Sequence, residues 1–167
     1  VDGNPLSSID PEGLAACLVL FPDYPIEYAD GMTSTWLGGH GGVLGYDSAG
    51  LTQYYEYGRY SPNSPGVIGA QLSADDGNVR RMGVPNLVIG KDGQPTPQSM
   101  DVLRKALAKK SGKNTRAELT CDADVDEKKV YEYAMSVANN QSRPKYSWKP
   151  WSSNQCRTFA KGAFGAG

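Results

Sequence analysis

The chain has 167 residues, Lys+Arg 17 against Asp+Glu 18 for a formal net charge of −1, three Cys and a single His. That length suits one domain able to bury its own core, and the near-neutral balance excludes the basic footprint of a nucleic-acid binder. One His excludes two-His metal sites, no apolar run approaches the ~18 residues of a membrane span, and no charged-then-apolar start reads as a signal peptide.

Residues 1–14 hold Asp2-Gly3, Asn4-Pro5 and Asp10-Pro11, which is turn chemistry without periodicity. The apolar run 17–21, stopped by Pro22, reads as a strand. Residues 41–46 and 52–57 flank Asp47-Ser48-Ala49-Gly50 as a hairpin. The Gly-, Pro-, Ser- and Asn-rich stretch 58–83 reads as a long excursion of low regularity, and 84–89 as a further strand before the Lys91-Asp92-Gly93 turn. Thr96-Pro97 is an N-cap with Pro at the first helical position, and Met100, Leu103 and Leu107 share one face, so 97–110 is expected to be helical. Residues 118–121 read as a strand. Residues 126–139 read as a helix with Val130, Ala134 and Val137 inward, and 154–164 as a short final helix. Asp122, Asp124 and Asp126 open like a calcium loop, but its sixth and twelfth positions are Glu127 and Tyr133 rather than Gly and Glu. They are expected instead to complement a helix N-terminus. The fold class is α+β: a small antiparallel sheet, a C-terminal Cys-bearing helix packed on it, and two inserted helices.

Cys17, Cys121 and Cys156 are odd in number and unrelated in spacing, so neither a disulfide framework nor a zinc site is indicated. Cys17 and Cys121 fall in apolar strands and read as small buried side chains. Cys156 differs. The Ser152-Ser153-Asn154-Gln155 cluster before it is a helix-start signal, and backbone N–H groups there, at Asn154 and Gln155, favour a thiolate and can stabilise an oxyanion. His40 stands in Gly38-Gly39-His40-Gly41-Gly42 at a strand start, where glycines leave room for close approach by another chain or a substrate. It is the expected general base. If the hairpin forms, Thr52, Tyr54 and Glu56 share one face, and Glu56 lies roughly opposite His40. Glu56, with Gln53 in reserve, is the expected orienting group, and Glu56→Gln is expected to be mild because an acceptor is kept.

Two resemblances extend this reading. Gly3-Asn4-Pro5-Leu6 followed by Asp10-Pro11-Glu12-Gly13-Leu14 resembles the junction that ends the Rhs-repeat core, where the shell cleaves itself and releases a C-terminal toxin. The resemblance implies that residues 1–14 are a residual junction, with Asp10 and Leu14 at the cleavage motif, and that the toxin domain covers 15–167. It further implies a type VI secretion effector delivered into a target cell, with the Rhs shell, secretion machinery and a cognate immunity protein as partners. The order His40 with its glycine-rich strand, Glu56 on the paired strand, then Asn154-Gln155-Cys156-Arg157-Thr158-Phe159 resembles the circularly permuted papain-like families, the NlpC-related and lecithin-retinol-acyltransferase-like groups. One extra residue separates Asn154 from Cys156, and two helical segments intervene between base and nucleophile. This resemblance implies a Cys–His hydrolase without metal or organic cofactor, acting on an amide of cell-wall peptide in the periplasm. The alternatives are a lipid ester or protein amide, action in the cytoplasm, or a non-enzymatic binding toxin.

Overall fold

The computed structural model describes residues 15–36, 38–149 and 155–167. The Rhs-like junction, including Asp10 and Leu14, and the helix-start residue Asn154 lie outside them. A five-stranded antiparallel sheet in the order β6-β5-β4-β1-β7 forms the centre, built from β1 (Ala15–Phe21), β4 (His40–Tyr46), β5 (Thr52–Gly58), β6 (Asn78–Met82) and β7 (Glu118–Asp122). A separate hairpin pairs β2 (Ile26–Ala29) with β3 (Met32–Ser34). Three α-helices stand among the described residues: α1 (Pro97–Lys110), α2 (Glu127–Asn139) and α3 (Cys156–Ala166).

Period-two alternation divides the core between the two faces of the sheet. On one face, Cys17, Val19, Phe21, Leu44 and Tyr54 pack against Leu103 and Leu107 of α1. On the other, Ala16, Val43, Tyr55 and Tyr57 pack against Val130 and Ala134 of α2 and Phe159 and Ala163 of α3. Helix α1 begins as its sequence dictates: the Thr96 side chain accepts from the Ser99 N–H, Pro97 follows, and Lys109 and Lys110 close the last turn. Asp126 caps α2 by accepting from the Lys128 N–H. That is the helix N-terminal use expected of this stretch, made by Asp126.

Three expectations are corrected. Residues 84–89 do not form a strand; Pro85 lacks an N–H, and the segment makes single bonds instead, Leu87 N–H to the Gly50 carbonyl and the Val88 carbonyl to Thr96 N–H. The stretch 58–83 is not irregular throughout, because its end forms β6, a sheet-edge strand that pairs with β5. The third concerns the cysteines. Cys17 and Cys121 face each other in the β1–β7 register and are joined by a disulfide, and Cys121 is exposed rather than buried. The bridge spans 104 residues and ties edge strand β7 to its neighbour β1, a constraint contributing ~2–5 kcal/mol. Cys156 is the free thiol.

Candidate functional site

Strand β4 begins at His40, and the backbone just before it explains the glycines. Gly39 has φ +72, and a Cβ there would lie 2.0 Å from the Phe21 carbonyl oxygen, so only glycine fits. Gly42 pairs with Glu56 in the β4–β5 ladder, and a Cβ on it would meet the Tyr54 hydroxyl at 2.3 Å. The close approach that these glycines permit is therefore by the protein's own Phe21 and Tyr54. His40, two residues before Gly42, shares its face, so His40 and Glu56 are diagonal rather than direct cross-strand neighbours. The reach is sufficient: His40 Nε2 is 2.9 Å from Glu56 Oε2. The imidazole is packed between Phe21 and Tyr24, with ring centres 5.7 and 5.0 Å away.

Glu56 is fully buried and accepts from donors around both oxygens. Oε2 takes His40, the Tyr54 hydroxyl at 3.2 Å and the Ser111 hydroxyl. Oε1 takes the Tyr60 hydroxyl at 2.8 Å and the Arg80 guanidinium through Nε, at 3.1 Å, and Nη2. Arg80 is Glu56's direct partner in the β5–β6 register, and Ser111 is the C-cap of α1. Burial alone would raise the Glu56 carboxyl, but His40, with Arg80 and Ser111 in support, holds it well below the ordinary carboxylate range.

Cys156 opens α3, lines the same cleft as His40, and its Sγ donates to the carbonyl of Gly39, the residue before His40, at 3.9 Å. Burial pushes the thiol up; the charge of His40 and hydrogen bonds from His40, Tyr146 and the Gly41 N–H outweigh it, so its pKa is lowered. For His40, burial works against the imidazolium, yet Cys156 and Glu56 on either side push its pKa up to about 10. The Cys156 N–H, the first of α3, points at the Tyr146 hydroxyl 3.4 Å away. Gln155 is the N-cap, but its donors are engaged elsewhere: its N–H bonds Thr158 Oγ1 at 3.0 Å and its Nε2 the Lys149 carbonyl at 2.6 Å. The donors nearest the thiol are thus Cys156 N–H and the Tyr146 hydroxyl, rather than Gln155. Gln53, the reserve for Glu56, pairs with Gly45 farther along the ladder and takes no part.

These groups open into a cleft of about 360 Å³ whose walls include Tyr24, Tyr60, Tyr146 and Trp148, with His40 and Cys156 among the lining residues. The arrangement is chemically a buried acid–imidazole–thiol chain at the base of an aromatic cleft, suited to nucleophilic attack by sulfur. Sequence reasoning identified its three central members and missed four supporting ones: Arg80, Ser111, Tyr60 and Tyr146. Among the described residues no helix is long and apolar enough to cross a membrane.

Comparison with known proteins agrees with this architecture. A family model described as Type VI secretion system effector TseH-like matches residues 16–165. The crystal structure of the type VI secretion system effector TseH is similar, with 26% identity and a TM-score of 0.68 over 94% of this chain and 79% of that one. No curated protein matches the chain. With its α+β sheet, its three helices and a family match over nearly its whole length, the chain belongs to the TseH-like family of type VI secretion system effectors.

Proposed function

We propose that this effector, antibacterial and delivered into a target cell, is a cysteine hydrolase that cleaves an amide bond in cell-wall peptide through an acyl-enzyme. The observation that carries the reading is the position of His40, bonded to Glu56 and lining the same cleft as Cys156, whose thiol its charge favours as thiolate. In the first step the Cys156 thiolate forms a bond to the carbonyl carbon, and the carbonyl π pair moves onto oxygen. The Cys156 N–H, at the positive end of α3, exchanges its long bond to the Tyr146 oxygen for the oxyanion, and the Tyr146 hydroxyl donates beside it. The C–N bond then breaks as the His40 imidazolium gives its proton to the leaving amine, which leaves a thioester. Water adds next, with His40 taking its proton. The C–S bond breaks, the carboxylic acid departs and the thiolate–imidazolium pair is restored. Glu56 keeps the imidazole oriented and its charge balanced throughout. None of these steps draws on a metal or organic cofactor.

The same reading includes the permuted papain-like order of His40, Glu56 and Cys156, action in the periplasm, and release from an Rhs shell by cleavage after Leu14. A cognate immunity protein would protect the producer most simply by plugging the cleft. The test is mass spectrometry of purified cell wall incubated with the 167-residue chain. The expected result is stem peptides cut at one amide, with a new amine and a new carboxyl end. Fatty acid release from lipid with an intact wall would move the activity to an ester. No covalent change in wall, lipid or protein would favour a binding toxin.

A further inference from the structure

The α1–β7 connection carries an unusual backbone at the edge of the catalytic cleft. Lys113 and Asn114 both have positive φ, 50° and 63°, the non-glycine residues in the described chain that do so. They are the central pair of a turn closed by the Thr115 N–H on the Gly112 carbonyl at 2.9 Å, while the Asn114 N–H caps the Ala108 carbonyl of α1 at 2.9 Å; Asn tolerates this conformation more readily than Lys. A residue held in a left-handed conformation at a site is a pointer to function. Its consequence here is position: Lys113 lines the cleft with His40 and Cys156, and its Nζ lies 4.8 Å from the centre of the Tyr24 ring. That ring centre is in turn 5.0 Å from the His40 ring. The ammonium therefore stands within about 10 Å of the His40 ring centre, about one Debye length at 0.1 M salt. Among the described residues no carboxylate pairs with it; its recorded partner is the π face of Tyr24.

The other cation lining the cleft, Arg59, is already paired to Asp75 at 2.5 Å, which leaves Lys113 as the lining cation, among the described residues, without a carboxylate partner.

We infer that Lys113 is a specificity-determining residue that receives a carboxylate of the substrate beside the scissile bond, so that the cleft selects anionic acyl compounds. The inference rests on Cys156 being the reacting thiol, as proposed above. It is tested without any hydrolysis by comparing alkylation of Cys156 by iodoacetate and by iodoacetamide. Both reagents lose iodide to the same sulfur and differ in one carboxylate. At pH 7 and low salt, the ratio of iodoacetate to iodoacetamide rates is expected to fall about three- to tenfold in Lys113→Met. Lys113→Asn, which suits the positive φ, should give the same fall with its fold undisturbed. Lys113→Arg should keep the wild-type ratio, and the iodoacetamide rate should stay within about twofold in all three. An unchanged ratio in both neutral variants, with Cys156 still reactive, would overturn the role of Lys113 alone. A Cys156 unreactive to both reagents in the wild-type chain would overturn the thiol reading and this inference with it.

Discussion

Cys156→Ala is expected to lower hydrolysis by about 10⁴-fold or more and to remove toxicity, because no other thiol can form the acyl-enzyme. Cys17 and Cys121 are consumed in the disulfide. The fold should survive: Cys156 is buried at the first turn of α3, and removing one sulfur costs about 1 kcal/mol, a small share of a domain's stability. The measurements are product release from cell wall and a thermal melt of the same preparation. A Cys156→Ala chain that melts normally and still kills susceptible cells would contradict the hydrolase and favour a binding toxin.

Glu56→Gln is expected to be severe, the reverse of what the sequence suggests. A Gln side chain retains one acceptor oxygen, which seemed enough to hold an imidazole. The buried carboxylate, however, accepts from His40, Tyr54, Tyr60, Arg80 and Ser111. An amide turns one oxygen into a donor, which must then face either the Arg80 side or the His40 side of the same site. It also leaves the Arg80 cation without its counter-charge. Breaking a buried pair by removing one partner costs ~3–5 kcal/mol, so the melting temperature should fall together with activity. Because Glu56 is held below its usual range, it stabilises the fold above the unfolded carboxylate pKa, and that contribution is lost only as pH falls through the depressed value. In Glu56→Gln the stability gap to wild type should therefore narrow toward strongly acid pH. A variant that melts like wild type at pH 7 would contradict this account.

Much of the site was legible because its parts have local signatures. The glycine run at His40, the hairpin that pairs 41–46 with 52–57, and the polar helix start before Cys156 each announce themselves within about ten residues. Helix α1 matched its expected span because cap, N1 proline and apolar face agree. The supporting residues were not legible for the opposite reason. Arg80 lies in a strand whose sequence, Asn-Val-Arg-Arg-Met, lacks apolar alternation because β6 is an edge strand with its Arg pairs turned to Glu56 and to solvent. Ser111 acts from the end of a helix on the opposite layer of the chain's order, 55 residues from Glu56. The Cys17–Cys121 bridge depends on strand register, which an odd cysteine count does not disclose. The β2–β3 hairpin had a signal that went unused, the Asp30-Gly31 turn with Gly31 at φ +72.

The most direct measurement of the central claim is the pH dependence of Cys156 alkylation by iodoacetamide in the wild-type chain and in His40→Ala. In the wild type, His40 lowers the thiol pKa, so alkylation should begin below the free-thiol value of about 8.5. The imidazolium that sustains it persists until pH rises through about 10. Without His40, burial of the thiol is no longer opposed by that charge, so the onset should move up toward or beyond about 8.5. The account predicts this upward shift, with slow alkylation at pH 7 in the variant. The same onset in both chains would contradict it, since Cys156 would then be a reactive thiol without His40 as its partner.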